Sequence, residues 1–158
     1  MLDHFLATST SRSLLFQRVV LGAVILPHGL QKVFGWFGGY GWDGTMGFFE
    51  GLGIPSPLGA LVIAAESLGA VALIAGIATR LAAVGIAAAM LGAIFLVHLP
   101  YGFFMNWGGT QAREGFELHL LALALAIPLA VRGGGAWSVD RALQRVLVRQ
   151  RHPQLVTT

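Results

Sequence analysis

Six ionisable side chains fall inside or at the ends of strongly apolar stretches: His28, Lys32, Glu66, His98, Glu117 and His119. Histidine titrates near neutrality and both donates and accepts hydrogen bonds, and a neighbouring carboxylate can pass protons to it. Such a set suits proton exchange with a small carbonyl compound such as a quinone. It also suits a haem held from two helices, by His28 with either His98 or His119, although no attachment motif accompanies them. Three histidines suit a metal ion as well, but these are scattered along the chain, and no metal is expected. The remaining alternative is a buried network that only fixes the order of the helices. His28 and Lys32 are four apart and share a helix face, with Gln31 beside them, whereas Glu117 and His119 are two apart and diverge. Glu66 is the most costly to bury. It requires Lys32 or a histidine as partner, a proton, or water.

The elements that must position these groups cross a membrane. Of 158 residues, 56% are hydrophobic and only 11% charged, against about 25% charged in a soluble domain. With no cysteine, disulfides, thiolate catalysis, iron–sulfur ligation and cysteine-type zinc sites within the chain are excluded. Four stretches approach the ~20 residues that a crossing needs: 14–34, 58–78, 81–99 and 112–131, the last built on the apolar run Phe116–Val131 extended backwards. The first could be mistaken for a signal peptide. It lacks a small-residue cleavage pattern and runs into Pro27, His28, Gln31 and Lys32, so a retained helix is expected.

Four crossings put both termini on one side. That side carries eight of the ten basic residues, and the other only Lys32 and Arg113, so both termini are expected in the cytoplasm of a bacterial plasma-membrane protein. The polar groups then share the outer half of the bilayer, with Glu66 roughly 12 Å below the outer surface. Arg18 lies near the inner face and is expected to reach out to the headgroups. Thr79–Arg80 forms a tight turn between the second and third helices. The two outer loops carry many aromatics, including Trp36 and Trp107, which suit an interfacial belt or a lid over a flat lipophilic ligand. A short interfacial helix is expected at Thr45–Leu52. Small residues recur four apart (Ala65 and Gly69, Ala72 and Gly76, Gly85 and Ala89, Ala88 and Gly92), predicting close helix packing and no wide pore. Ser138 is a plausible helix cap. After it comes an amphipathic stretch with Arg141, Arg145 and Arg149, suited to lie on the anionic inner leaflet. A disordered tail is expected from His152.

These residues carry a resemblance to the DoxX family of small bacterial membrane proteins. The matching stretches are His28-Gly29-Leu30-Gln31-Lys32-Val33-Phe34-Gly35, Gly51-Leu52-Gly53-Ile54-Pro55, Ala65-Glu66-Ser67-Leu68-Gly69 and Gly76-Ile77-Ala78-Thr79-Arg80-Leu81-Ala82-Ala83, then His98-Leu99-Pro100-Tyr101-Gly102-Phe103-Phe104, Phe116-Glu117-Leu118 and Trp137-Ser138-Val139-Asp140. They occur in the family's order over residues 14 to 142. The resemblance implies a four-helix membrane bundle and an oxidoreductase subunit, and places His28, Lys32, Glu66, His98 and Glu117 on the family's recurrent polar positions. Its relatives include the membrane subunit of an archaeal thiosulfate:quinone oxidoreductase and membrane partners of enzymes handling thiol or oxidative stress. The chain departs from the family's pattern after the acidic motif, where a second glycine is expected and this chain has Ser67-Leu68-Gly69.

The expected fold is an all-α membrane protein: a four-helix antiparallel bundle over 1–142, followed by a basic cytoplasmic tail over 143–158. The expected function is the membrane subunit of a quinone-linked oxidoreductase system. Glu66, His28 and His98 would carry the proton chemistry, with Lys32, Gln31, Glu117, His119, Trp36 and Trp107 binding the ligand. The alternative is a non-catalytic scaffold that recruits a redox or stress-response enzyme, the polar layer being structural. Quinone, with haem behind it, is the expected cofactor. The expected partners are the lipid bilayer, a soluble redox subunit and further copies of the chain, without nucleic acid.

Overall fold

The computed structural model describes residues 8–151. Among them every regular element is helical. The first helix, α1 (Arg12–Phe34), starts at Ser11, whose hydroxyl accepts from the Leu14 N–H at 3.4 Å, and stops at Gly35, left-handed with φ 73°. A 3₁₀ turn (Trp36–Gly38) leads into α2 (Gly41–Gly51), which begins four residues before the expected interfacial helix. Next come α3 (Ser56–Ala75) and α4 (Thr79–Ala93), the latter continuing as a π turn (Ile94–His98) and a 3₁₀ turn (Leu99–Tyr101). Then follow α5 (Glu117–Arg132) and α6 (Val139–Arg151). The α6 helix runs through the division expected at 142/143, and the expected disordered tail from His152 lies outside the described residues.

Three helical stretches are long and apolar enough to cross a membrane: Arg12–Phe34, Ser56–Ala75 and Thr79–Tyr101. Four were expected. The fourth, α5, has 16 residues and begins at Glu117 rather than near residue 112. Its approach segment is tied to a loop instead of to a preceding turn. Gly115 N–H donates to Phe104 O (3.2 Å), Phe116 N–H to Gly102 O (3.2 Å) and Glu117 N–H to Phe103 O (2.9 Å). Those amides are thereby unavailable for helical pairing. Gly115 is required there, because a Cβ would stand 2.4 Å from Phe104 O.

Helix α1 packs along α3, α3 and α5 flank α4, and α1 also touches α5. Leu21, Ile25, Ala70, Leu73, Ala83, Ile86, Ala126 and Leu129 form the shared core. The outward faces are apolar too, with Phe16, Leu61, Leu68, Phe95 and Leu121 all exposed. An exposed girdle of this kind matches a hydrocarbon surround and not water. The closest crossing rests on Gly22 and Gly29, where a Cβ would lie 2.7 Å from Ala70 O and 2.5 Å from Glu66 O. Of the small residues expected to pack, Gly69 has its nearest neighbours at 3.9 Å and Gly92 none within 4 Å. Gly76 packs tightly, a Cβ there standing 2.6 Å from Ser138 Cβ, and Gly85 lies opposite Ala65, so the stripe is close-packed in part and open around Gly92.

The end of the bundle that holds α6 is closed by polar side chains. Arg18, expected to reach out to the headgroups, is 2% exposed. Its Nε donates to Gly134 O (3.0 Å), Nη1 to Leu73 O (2.9 Å) and Ile74 O, and Nη2 to Ala136 O (3.4 Å) and Trp137 O (3.0 Å). Leu73 O also accepts from Gly76 N–H at 3.1 Å, and the planar guanidinium fork supplements that bond and reaches Ile74 O beyond it. Ser138 accepts from Arg141 N–H at 3.2 Å, as its expected capping role requires. The Asp140 carboxylate accepts from Ala78 N–H (2.7 Å) and Thr79 N–H (2.9 Å), capping α4 from a distant part of the chain. Asp140→Ala removes both acceptors, so thermal unfolding in detergent is expected to show a loss of about 1–2 kcal/mol. An unchanged midpoint would show that this cap contributes nothing.

Candidate functional site

At the other end, four helices converge on five of the predicted side chains. Lys32 occupies the last turn of α1, where a cation favours the helix dipole. Its ammonium forms an ion pair and hydrogen bond with Glu66 Oε2 of α3. Glu66 is 4% exposed. The glycine at position 29 lets the α1 backbone reach the turn that bears this carboxylate. His28 lies one turn before Lys32.

His98 and His119 come from opposite directions. The π turn adds a residue to its turn and so displaces His98 from its place on a regular helix, a distortion often found at functional sites. His119 sits in the first turn of α5. The rings meet with centroids 4.2 Å apart and planes inclined at 43°. His98 Nδ1 lies 2.8 Å from Glu114 O. A carbonyl can only accept, so this contact puts a proton on Nδ1, and in the neutral ring Nε2 is then the acceptor. His119 Nδ1 is buried and makes no hydrogen bond of full geometry among the described residues, its ring having only a weak contact with the Phe116 backbone. An imidazole nitrogen in that position can bind a donor or acceptor on a small molecule.

One cavity joins these groups. It encloses about 860 Å³ and is lined by His28, Lys32, Glu66, His98 and His119 among mainly apolar residues. Small-molecule sites have this size and this balance of apolar wall and few polar groups. The cavity also reaches Phe48 and Phe49 of α2 and Leu52 just after it. Over this end, Arg113 stands 5.8 Å from the Phe48 ring centre and 5.9 Å from that of Tyr101, joining the two aromatic loops.

Four other predicted residues do not line the cavity. Gln31 donates to Phe37 O at 3.3 Å. Trp36 packs on Phe34 with centroids 5.3 Å apart, and Trp107 is 88% exposed. Glu117 accepts from Met105 N–H at 3.2 Å and so holds the preceding loop. It points away from His119, as their spacing requires. Sequence reasoning missed Glu114, which orients His98 through its carbonyl and also lines the cavity. Backbone acceptors leave no residue-type signal. It also missed the cavity wall itself, because helical spacing of small residues predicts close approach and open space equally well. Among the described residues, no group of three or more His, Cys, Asp or Glu is arranged to hold a metal.

Comparison with known proteins agrees with this architecture. The DoxX family model matches residues 13–99. The chain is 32% identical over 126 residues to the protein named "Putative oxidoreductase CatD" of Bacillus subtilis (strain 168), covering 80% of this chain and 83% of that one. It is also 32% identical over 126 residues to "Inner membrane protein YqjF" of Escherichia coli (strain K12), covering 80% of this chain and 92% of that one. No solved structure matches significantly. The family match spans more than half of the sequence, and both relatives align over most of their length: the chain is a membrane protein of the DoxX family.

Proposed function

We propose that this protein is the membrane subunit of a quinone-linked oxidoreductase system, its cavity holding the quinone head beside Glu66, Lys32, His28, His98 and His119. The observation that carries the reading is the single cavity shared by those five side chains. The name of the Bacillus subtilis relative points the same way. The residues fit such a ligand: His119 Nδ1 is buried without a hydrogen bond of full geometry, His98 is oriented through Nδ1 with its Nε2 left for another contact, and the surrounding wall is mainly apolar. A bound quinone supplies two-electron, two-proton redox chemistry. Electrons would come from a soluble partner subunit. In the chain itself, His98 and His119 orient the ligand oxygens, Glu66 and His28 exchange protons with it, and Lys32 balances negative charge.

The same reading includes a topology of four crossings in a bacterial plasma membrane, with both termini cytoplasmic. The arginine asymmetry supports the orientation, and the name of the Escherichia coli relative supports the compartment. Helix α5 would cross as the shortest member, about 24 Å long, its Arg132 reaching the inner interface. Helix α6 would lie along the inner leaflet, with exposed Val139, Leu143 and Val146 facing lipid.

Equilibrium binding of a quinone to the purified protein tests the site. Glu66→Gln and His28→Ala are each expected to weaken binding about tenfold, the effect of one lost polar contact. Absence of saturable binding, or binding indifferent to both changes, rejects the proposal.

A further inference from the structure

The cavity does not end at the polar cluster. Its wall combines buried residues such as Glu66 and Met90 with strongly exposed ones: Leu61 and Leu68 on α3, Leu81 on α4 and Leu96 in the π turn that continues it. A single cavity bounded by both kinds passes from the bundle interior to its outside between α3 and α4. The small residues explain the opening. Gly85 faces Ala65 across this seam, a Cβ at position 85 standing 3.4 Å from Ala65 Cβ, while a Cβ at Gly92 would meet nothing within 4 Å. Ala88 is exposed and also lines the cavity. Larger side chains at these positions would close the seam. The α3 wall runs from Leu58 to Ala72, about 21 Å along the helix, most of the hydrocarbon thickness of a bilayer.

We infer that the ligand is a head-and-tail amphiphile that enters sideways from the lipid, and that its single long hydrocarbon tail rests in the α3–α4 seam while the head occupies the polar cluster. This deepens the proposed function and rests on it. The continuity of seam and polar cluster in one cavity selects this occupant: a molecule bound by its head at Glu66 and the histidines must leave through the opening that the small residues create. In a bilayer the tail gains little hydrophobic free energy, because lipid is as apolar as the seam. Packing contacts and correct depth are what it adds, so the advantage is modest.

The test compares two quinones, one with a long isoprenoid tail and one with none, on purified wild type, Ala88→Phe and Gly92→Phe in nanodiscs of one lipid composition. Wild type is expected to bind the tailed quinone about tenfold more tightly. Each variant is expected to lose that preference and to keep its affinity for the tailless quinone within about threefold, which also reports an intact fold. Equal affinity of wild type for both quinones overturns the tail assignment but leaves the proposed function standing. A tail preference that survives in both variants also overturns it, as does loss of tailless binding in both. Failure of wild type to bind either quinone rejects the proposed function and this inference together.

Discussion

Arg18→Ala lowers the stability of the purified protein by about 2–4 kcal/mol, the combined cost of lost charge-assisted hydrogen bonds and of the cavity left behind. The guanidinium is buried at 2% exposure and donates to five carbonyls belonging to α3 and to the segment between α5 and α6. Alanine removes the side-chain donor from all five; Leu73 O keeps Gly76 N–H, and the other carbonyls lose this donor in a largely buried site, where each loss is costly. Gly76 adds to the constraint: it is left-handed at φ 72°, and a Cβ there would lie 3.1 Å from the Arg18 guanidinium carbon and 2.6 Å from Ser138 Cβ. Space around the side chain is therefore fixed, and the gap will not collapse readily. Arg18→Lys recovers little, because one ammonium cannot reproduce the planar fork. Denaturant titration in detergent measures the loss, and limited proteolysis between α5 and α6 reports where the fold opens. A change below about 1 kcal/mol would mean that the five contacts contribute no more than a surface ion pair.

The contrast between the two ends of the molecule explains what was legible in the sequence. Apolar runs and polar punctuation announce membrane helices, since a charged residue within twenty apolar ones is rare. Lys32 stood among the compensations open to Glu66, beside a histidine, a proton or water, because a buried carboxylate demands one of them, and the fold selects Lys32. Arg18 obeys the same rule, but its partners are backbone carbonyls, which every residue carries and no sequence marks. Asp140 is similar: its partners, the Ala78 and Thr79 amides, lie 62 and 61 residues away. The start of α5 was misplaced for a related reason. The amides of 115–117 pair with the carbonyls of 102–104, a loop-to-loop contact with no periodicity. The small-residue stripe on α3 and α4 was ambiguous in principle, because glycine and alanine permit close contact only when the neighbouring helix comes near. Nothing in the local sequence decides whether it does.

Lys32→Met leaves Glu66 buried without its cation and is expected to lower stability by about 3 kcal/mol. Glu66→Gln costs less, about 1 kcal/mol, because the Lys32 side chain retains 25% exposure and can turn towards the open side of the cavity. The double variant returns close to wild type, since a buried pair contributes little net stability once its desolvation is counted. These values follow from unfolding titrations, and a double variant as unstable as Lys32→Met would mean that the pair is not the relevant contact. The cycle also separates the two roles open to the polar layer. A layer that only orders the helices needs stability alone, so the double variant would regain stability and ligand binding together. Under the proposed function, it regains stability while quinone binding stays about tenfold weak, because neither Met nor Gln restores the charged carboxylate beside the histidines. Recovery of both would leave the ion pair a structural element. Recovery of the fold without the ligand makes Glu66 part of the site.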